Sequence, residues 1–149
     1  MFSSSNNTPN YPDTNNEEQG GAIPKKLLLL LVEDDKVNQM LGRKMLAKAG
    51  YDVEVADNGY LAMEMLNSKT YALIITDIKL PLMTGYELAD KIRKSVGLPY
   101  VNIPIIAVSA YPSSVEREKA VNSGINEYIA KPFALHELVD AITTQLKKM

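Results

Sequence analysis

Residues 27–32, the greasiest run of the chain, end directly in three acids, Glu33, Asp34 and Asp35. Crowded carboxylates repel one another and resist desolvation, so a buried element that ends in three of them calls for a positive group close by. Three further residues able to do chemistry follow apolar runs in the same way. They are Asp77 in "ITDIKLPLMTG", Ser109 in "AVSAY" and Lys131 in "YIAKPF". Taken singly, each has an ordinary role. Acids before a helix cap it and complement its dipole, an Asp after a strand forms a turn, and a lone Ser or Lys at a strand end is solvated. What they do together depends on whether the fold gathers carboxylates, hydroxyl and ammonium at one place.

The elements that must position them alternate between two periods. "LLLLLV" (27–32) is too continuous for a half-exposed strand and suits one covered on both faces. "KVNQMLGRKMLAKAG" sets Val37, Met40, Leu41 and Met45 at helical spacing, with Gly50 as the stop. "YDVEVA" alternates as a strand does, and "NGYLAMEMLNS" reads as a short helix opened by Asn58. "YALIIT" (71–76) and "IPIIAVSA" (103–110) are two more buried strands. Between them "GYELADKIRKS" is helical, with Leu88, Ile92 and Val96 along one face. "SSVEREKAVNSG" is a polar helix ending at Gly124, "INEYIA" is a short strand, and "ALHELVDAITTQLKK" closes the chain. That last helix carries Leu135, Leu138, Val139, Ile142 and Leu146 as one stripe, with His136, the only histidine, one step off it at the surface.

Five βα units in succession imply an α/β fold, a doubly wound parallel sheet with helices on both faces. In such sheets ligands bind outside the carboxyl ends of the strands, where the winding direction reverses. Residues 33–35, Asp77, Ser109 and Lys131 all belong to that edge.

Composition narrows the function classes. With 149 residues, 46% hydrophobic and 23% charged, the chain fits one domain, and it has no cysteine for disulfides or thiolate metal sites. Six apolar residues between Lys26 and Glu33 are too few for a membrane span, which needs about 20, or for a signal-peptide core of about 7 to 15. Residues 1–24 hold Asp13, Glu17 and Glu18 and no base, while residues 25–149 hold 15 acids against 16 bases. A near-neutral body gives no electrostatic case for nucleic acid. Residues 1–24, rich in Ser, Asn, Pro and Gly, are expected to be a disordered tail, and residues 25–149 a single domain.

From residue 26 to about 147 the sequence resembles the receiver domain of two-component response regulators (CheY-like). "LLVEDD", "DIKLPLMTGYEL", "VSA" and "YIAKPF" carry the resemblance, in the family's order and spacing. It implies a flavodoxin-like five-stranded sheet of order 2-1-3-4-5. It also implies that Asp77 accepts a phosphoryl group from a histidine-kinase phosphohistidine. On the same resemblance Asp34 and Asp77 bind Mg2+ directly, Glu33 binds it through water, and the backbone carbonyl of Lys79 completes the protein ligands. Lys131 contacts the acyl phosphate, with a cis bond before Pro132. Ser109 hydrogen-bonds the phosphoryl oxygen, and Tyr128 turns inward from an exposed rotamer. The surface of the fourth helix, fifth strand and fifth helix then changes for a partner to read. Such a protein is no enzyme beyond its own phosphotransfer and dephosphorylation.

The departures from the family pattern are informative. Asp35 adds a third acid and is expected to cap the helix rather than bind metal. Leu80 and Thr84 replace the Met and Asp common in that loop. Lys79 and Tyr111, each two residues after a key position, are candidates for controlling water access and the phosphoryl lifetime. An aspartyl hydrolase of the haloacid-dehalogenase type needs a second Asp where Lys79 stands. The competing reading within the fold is a phosphorylation-independent pseudo-receiver, or the receiver fragment of a hybrid sensor kinase, which "VEDDKVNQ" resembles. Little chain follows the fifth helix, so no output domain is expected. The expected partners are a histidine kinase or histidine phosphotransfer protein and a downstream protein in the cytoplasm. A homodimer formed on phosphorylation is compatible with the same output face.

Overall fold

The computed structural model describes residues 26–110 and 113–148. The tail expected at 1–24 lies outside the described residues, as does Tyr111. The elements, in chain order, are β1 (Leu28–Val32), α1 (Lys36–Lys48), β2 (Asp52–Ala56), α2 (Gly59–Ser68), β3 (Leu73–Asp77), α3 (Gly85–Arg93), β4 (Ile105–Ser109), α4 (Ser114–Asn122), β5 (Glu127–Ala130) and α5 (Leu135–Lys147). All neighbouring strands pair in parallel, in the order β2-β1-β3-β4-β5. This is the doubly wound 2-1-3-4-5 sheet, and the winding reverses at β1 and β3.

The unbroken leucine run follows from this placement. β1 is central, and alternate residues point to opposite faces. Leu30 and Val32 join one core with Ile74, Ile105, Ala107 and the inner faces of α2, α3 and α4. Leu29 and Leu31 join a second core with Leu73, Ile75, Ile106 and Val108 under α1 and α5.

Helical spacing does not by itself set which face is buried, and one helix is shorter than its spacing suggests. On α1 the buried residues are Gln39 and Leu46, with Met45 only partly buried, whereas Val37, Met40 and Leu41 are exposed. The apolar spacing was real but faces outward, because Gln39 finds polar partners inside. On α3 the helix stops at Arg93, capped by Lys94, so Val96 lies beyond it and is 86% exposed. The left-handed Gly97 (φ +87°) sits just past that end. The other boundaries agree within a residue or two. His136 is exposed, and α4 buries only Ala120.

Candidate functional site

Each chemical side chain stands at the C-terminal edge of the sheet. β1 delivers Glu33, whose N–H continues the ladder by donating to the Ala56 carbonyl at 3.0 Å. Beyond it the chain turns into α1, with Asp35 as N-cap accepting from the Asn38 N–H at 2.9 Å. The capping role expected of Asp35 is therefore the one it plays. β3 delivers Asp77, β4 delivers buried Ser109, and Lys131 follows β5 with a cis peptide bond to Pro132.

Lys131 Nζ lies 3.0 Å from Asp77 Oδ2 and 3.8 Å from Glu33 Oε1. The other Asp77 oxygen, Oδ1, accepts from the Lys79 N–H at 3.2 Å. Glu33 is 6% exposed, and its Oε2 accepts from the Asp35 N–H at 3.0 Å. Burial holds the Glu33 carboxyl above the usual range, and the Asp77 and Asp34 charges add to that. The Asp35 N–H and Lys131 pull the other way without winning.

Glu33, Asp34 and Asp77 against Lys131 leave the site with two excess negative charges. Among the described residues no group of three Asp, Glu or His side chains converges on one point, so the acids form a partial set rather than a closed cage. Such a set still fits a hard divalent ion. The donors are all oxygens, Asp34 is exposed, and magnesium keeps several waters and completes its shell with phosphate oxygens.

The sign of the Glu33 shift yields a prediction. A carboxyl whose pKa is raised on folding contributes stability that is complete below the ordinary glutamate range and is lost as pH rises through its folded value. In chelator, Glu33→Gln should therefore melt higher than the wild type at neutral pH, and the two curves should converge in acid. Thermal melts from pH 4 to 8 measure this, and a variant less stable than wild type at pH 7 contradicts it.

Residues that no local sequence pattern marks complete the site. The buried Gln39 amide donates to the Glu33 carbonyl and to Asp57 Oδ1, both at 2.6 Å. Gln39, and then Lys36, hold the exposed Asp57 carboxyl below its usual range. No spacing rule marks a glutamine on a helix as buried. At α3, Gly85 packs so closely that an added Cβ would lie 2.5 Å from the Asp77 carbonyl oxygen. Tyr128, expected in an exposed rotamer, is half-buried against the core, with the Arg117 guanidinium 5.2 Å above its ring. Lys79 is exposed.

The model of the response regulator receiver domain matches residues 29–143. The chain belongs to the response-regulator receiver family. The receiver of a sensor histidine kinase from Pseudomonas aeruginosa, solved with magnesium coordinated in its active-site cleft, is 32% identical, with a TM-score of 0.75. That similarity covers 83% of this chain and 99% of the other. A CheY-like receiver from Methanospirillum hungatei is 28% identical with a TM-score of 0.74, over 83% and 96% of the two chains. Hybrid signal transduction histidine kinase I of Dictyostelium discoideum is 34% identical over 121 residues, 78% of this chain and 7% of that protein. The chain spans about half or less of the length of the curated relatives it first matches. As a receiver domain it is a signalling module of two-component systems. Among the described residues no helix is long and apolar enough to cross a membrane.

Proposed function

We propose that this receiver takes a phosphoryl group onto Asp77 from a phosphohistidine and signals through the surface of α4, β5 and α5 in the cytoplasm. One observation carries the reading: the Asp77 carboxylate is held between the Lys131 ammonium at 3.0 Å and the Lys79 N–H at 3.2 Å, at the strand edge it shares with Glu33 and Ser109. In the transfer, an Asp77 carboxylate oxygen forms a bond to phosphorus as the phosphorus–nitrogen bond of the donor breaks. The electron pair stays on the imidazole.

Lys131 offsets the charge arriving on the phosphoryl oxygens, an electrostatic contribution that counts for more in a partly buried site than in water. Ser109, at the end of the adjoining strand, donates to a phosphoryl oxygen. Glu33, Asp34, Asp77 and the Lys79 carbonyl would hold Mg2+, whose positive charge would offset the repulsion between carboxylate and incoming phosphate. Control of water access to the acyl phosphate, and so of its lifetime, falls on this reading to Lys79 and Tyr111.

An apolar cleft of about 460 Å³, lined by Leu31, Leu41, Met45 and Phe133, reaches Asp77 and Lys131. With the exposed Leu41 on its rim, the α1 side offers a histidine kinase or histidine phosphotransfer protein apolar surface within reach of the phosphoacceptor.

Intact-mass measurement after incubation with acetyl phosphate, with and without magnesium, tests the reading on wild type and Asp77→Asn. A single phosphoryl adduct that needs both magnesium and Asp77 is expected. An adduct that survives Asp77→Asn, or none on folded, magnesium-binding wild type, overturns it.

A further inference from the structure

Helix α4 is poorly anchored for an element of the signalling face. Its sequence is mostly polar, its two valines, Val115 and Val121, are exposed, and Ala120 is its one buried residue. Besides the Arg117 guanidinium over the Tyr128 ring, a side chain from another helix ties it to the body. Tyr86 on the first turn of α3 is 7% exposed, and its hydroxyl donates to Glu116 Oε1 at 2.8 Å. One turn further along α4, Lys119 Nζ lies 4.8 Å over the same tyrosine ring. Burial and then the Glu116 bond push the Tyr86 hydroxyl's pKa far upward, so it remains a donor at any physiological pH, and Tyr128 contributes to the same shift. Tyr86 and Tyr128 share one apolar core.

The other end of this connection is the phosphoacceptor. Tyr86 follows Gly85, whose N–H donates to the Ile78 carbonyl at 2.9 Å and whose Cα packs on the Asp77 carbonyl. The Thr84–Glu87 capping box fixes the same turn from outside, with bonds of 2.9 and 3.1 Å. A change at the Asp77 backbone therefore reaches the root of Tyr86 through packed main chain.

We propose that Tyr86 is a positioning residue for the signalling face: it latches α4 to the body through Glu116 and carries displacement at Asp77 to α4 and Tyr128, alongside the route through Ser109. This rests on the phosphoryl reading only for its second half. In the resting protein the latch holds α4 whether or not Asp77 is ever modified.

Amide hydrogen exchange separates the two halves. Tyr86→Phe keeps the ring and removes the donor. Because a hydrogen bond to a carboxylate is among the stronger ones, α4 amides in the unmodified protein should exchange roughly tenfold faster. Tyr71→Phe is the control. It removes a comparable bond, Tyr71 Oη to Glu54 Oε1 at 2.5 Å, away from α4, and should leave α4 exchange unchanged. After acetyl phosphate and magnesium, the change seen in α4 of the wild type should shrink to less than half in Tyr86→Phe.

Wild-type exchange rates for α4 in unmodified Tyr86→Phe, or equal loosening by Tyr71→Phe, overturn the latch. An adduct-induced change of full size in Tyr86→Phe overturns the coupling. If wild type takes no phosphoryl group, it is the reading of Asp77 that fails, and the unmodified arm still decides the latch. Should Tyr86→Phe not fold, Glu116→Gln is read the same way, with a smaller loosening expected because a neutral acceptor remains.

Discussion

Gly85→Ala should lower the melting temperature by roughly 8 °C and slow acquisition of a phosphoryl group on Asp77 by an order of magnitude or more. An added Cβ would lie 2.5 Å from the Asp77 carbonyl oxygen and 3.0 Å from the Ile78 Cα. Both are main-chain atoms, so no side-chain rotation relieves the contact. Overpacking of this kind costs about 3 kcal/mol at its upper range, and the helix propensity gained over glycine returns about 1. The functional loss comes from where the strain goes. Either α3 lifts from β3 or the end of β3 shifts, and the Asp77 carboxylate moves with it. Misplacement by about 1 Å can cost on the order of a hundredfold in rate. Gly59→Ala is the matched control. It also sits at the first residue of a helix, but its Cβ would meet the Met83 sulfur at 2.7 Å, the far end of a flexible side chain. Melting curves and phosphorylation time courses on both variants decide the matter. A Gly85→Ala protein that matches Gly59→Ala in both would show that the approach of α3 to Asp77 is not constrained.

This dependence also shows which parts of the site could be read from the amino-acid sequence. Glu33, Asp77, Ser109 and Lys131 were legible because each follows a strand whose apolar run is unmistakable, and a parallel sheet brings all strand ends to one edge. The strands are buried on both faces, so their hydrophobicity needs no phase to be recognised. A helix does need a phase. On α1, Val37, Met40 and Leu41 form a stripe as convincing as any core face, yet they stand exposed while Gln39 is buried. The amide goes inside because the Glu33 carbonyl and Asp57 are there to accept from it, and those acceptors come from two other segments. The Tyr86–Glu116 bond joins residues 30 apart and is invisible to any local pattern for the same reason. Asp35 was legible as a cap because capping is local. Apolar burial in strands and short-range capping are thus written in the chain itself, whereas polar pairs that orient the site depend on tertiary neighbours.

Arg93 is the strongest case of a residue that only the fold explains, and its removal should cost about 3 kcal/mol, near the upper end for a single substitution. In "DKIRKS" it reads as one more charge on a solvated helix. In the structure it is half-buried, and burial alone pulls its pKa below the usual arginine value. It donates from Nε to the Gly124 carbonyl at 3.0 Å and from one terminal nitrogen to the Val101 carbonyl at 2.9 Å. The other terminal nitrogen donates to Asn126 Oδ1 at 2.8 Å, and that oxygen also accepts from the Ile105 N–H at 2.8 Å. One side chain thereby joins the end of α3, the approach to β4 and the turn between α4 and β5. Gly124 is left-handed (φ +93°), and a Cβ there would lie 2.5 Å from the Arg93 Cγ, so the turn is shaped around the arginine. Arg93→Ala leaves three acceptors short of a donor, each costing about 1–3 kcal/mol where water cannot reach, with losses that are not additive. Lysine is a point charge without the planar fork, so Arg93→Lys should recover less than half. The clamp sits where β4 and β5 begin, at the opposite end of the sheet from Asp77. Variants that remain folded should therefore take up a phosphoryl group within about twofold of the wild-type rate, since a stability loss of this size leaves most molecules native. Urea unfolding measures the first expectation and phosphorylation time courses the second. An Arg93→Ala protein as stable as wild type would mean that water replaces the guanidinium at all three acceptors.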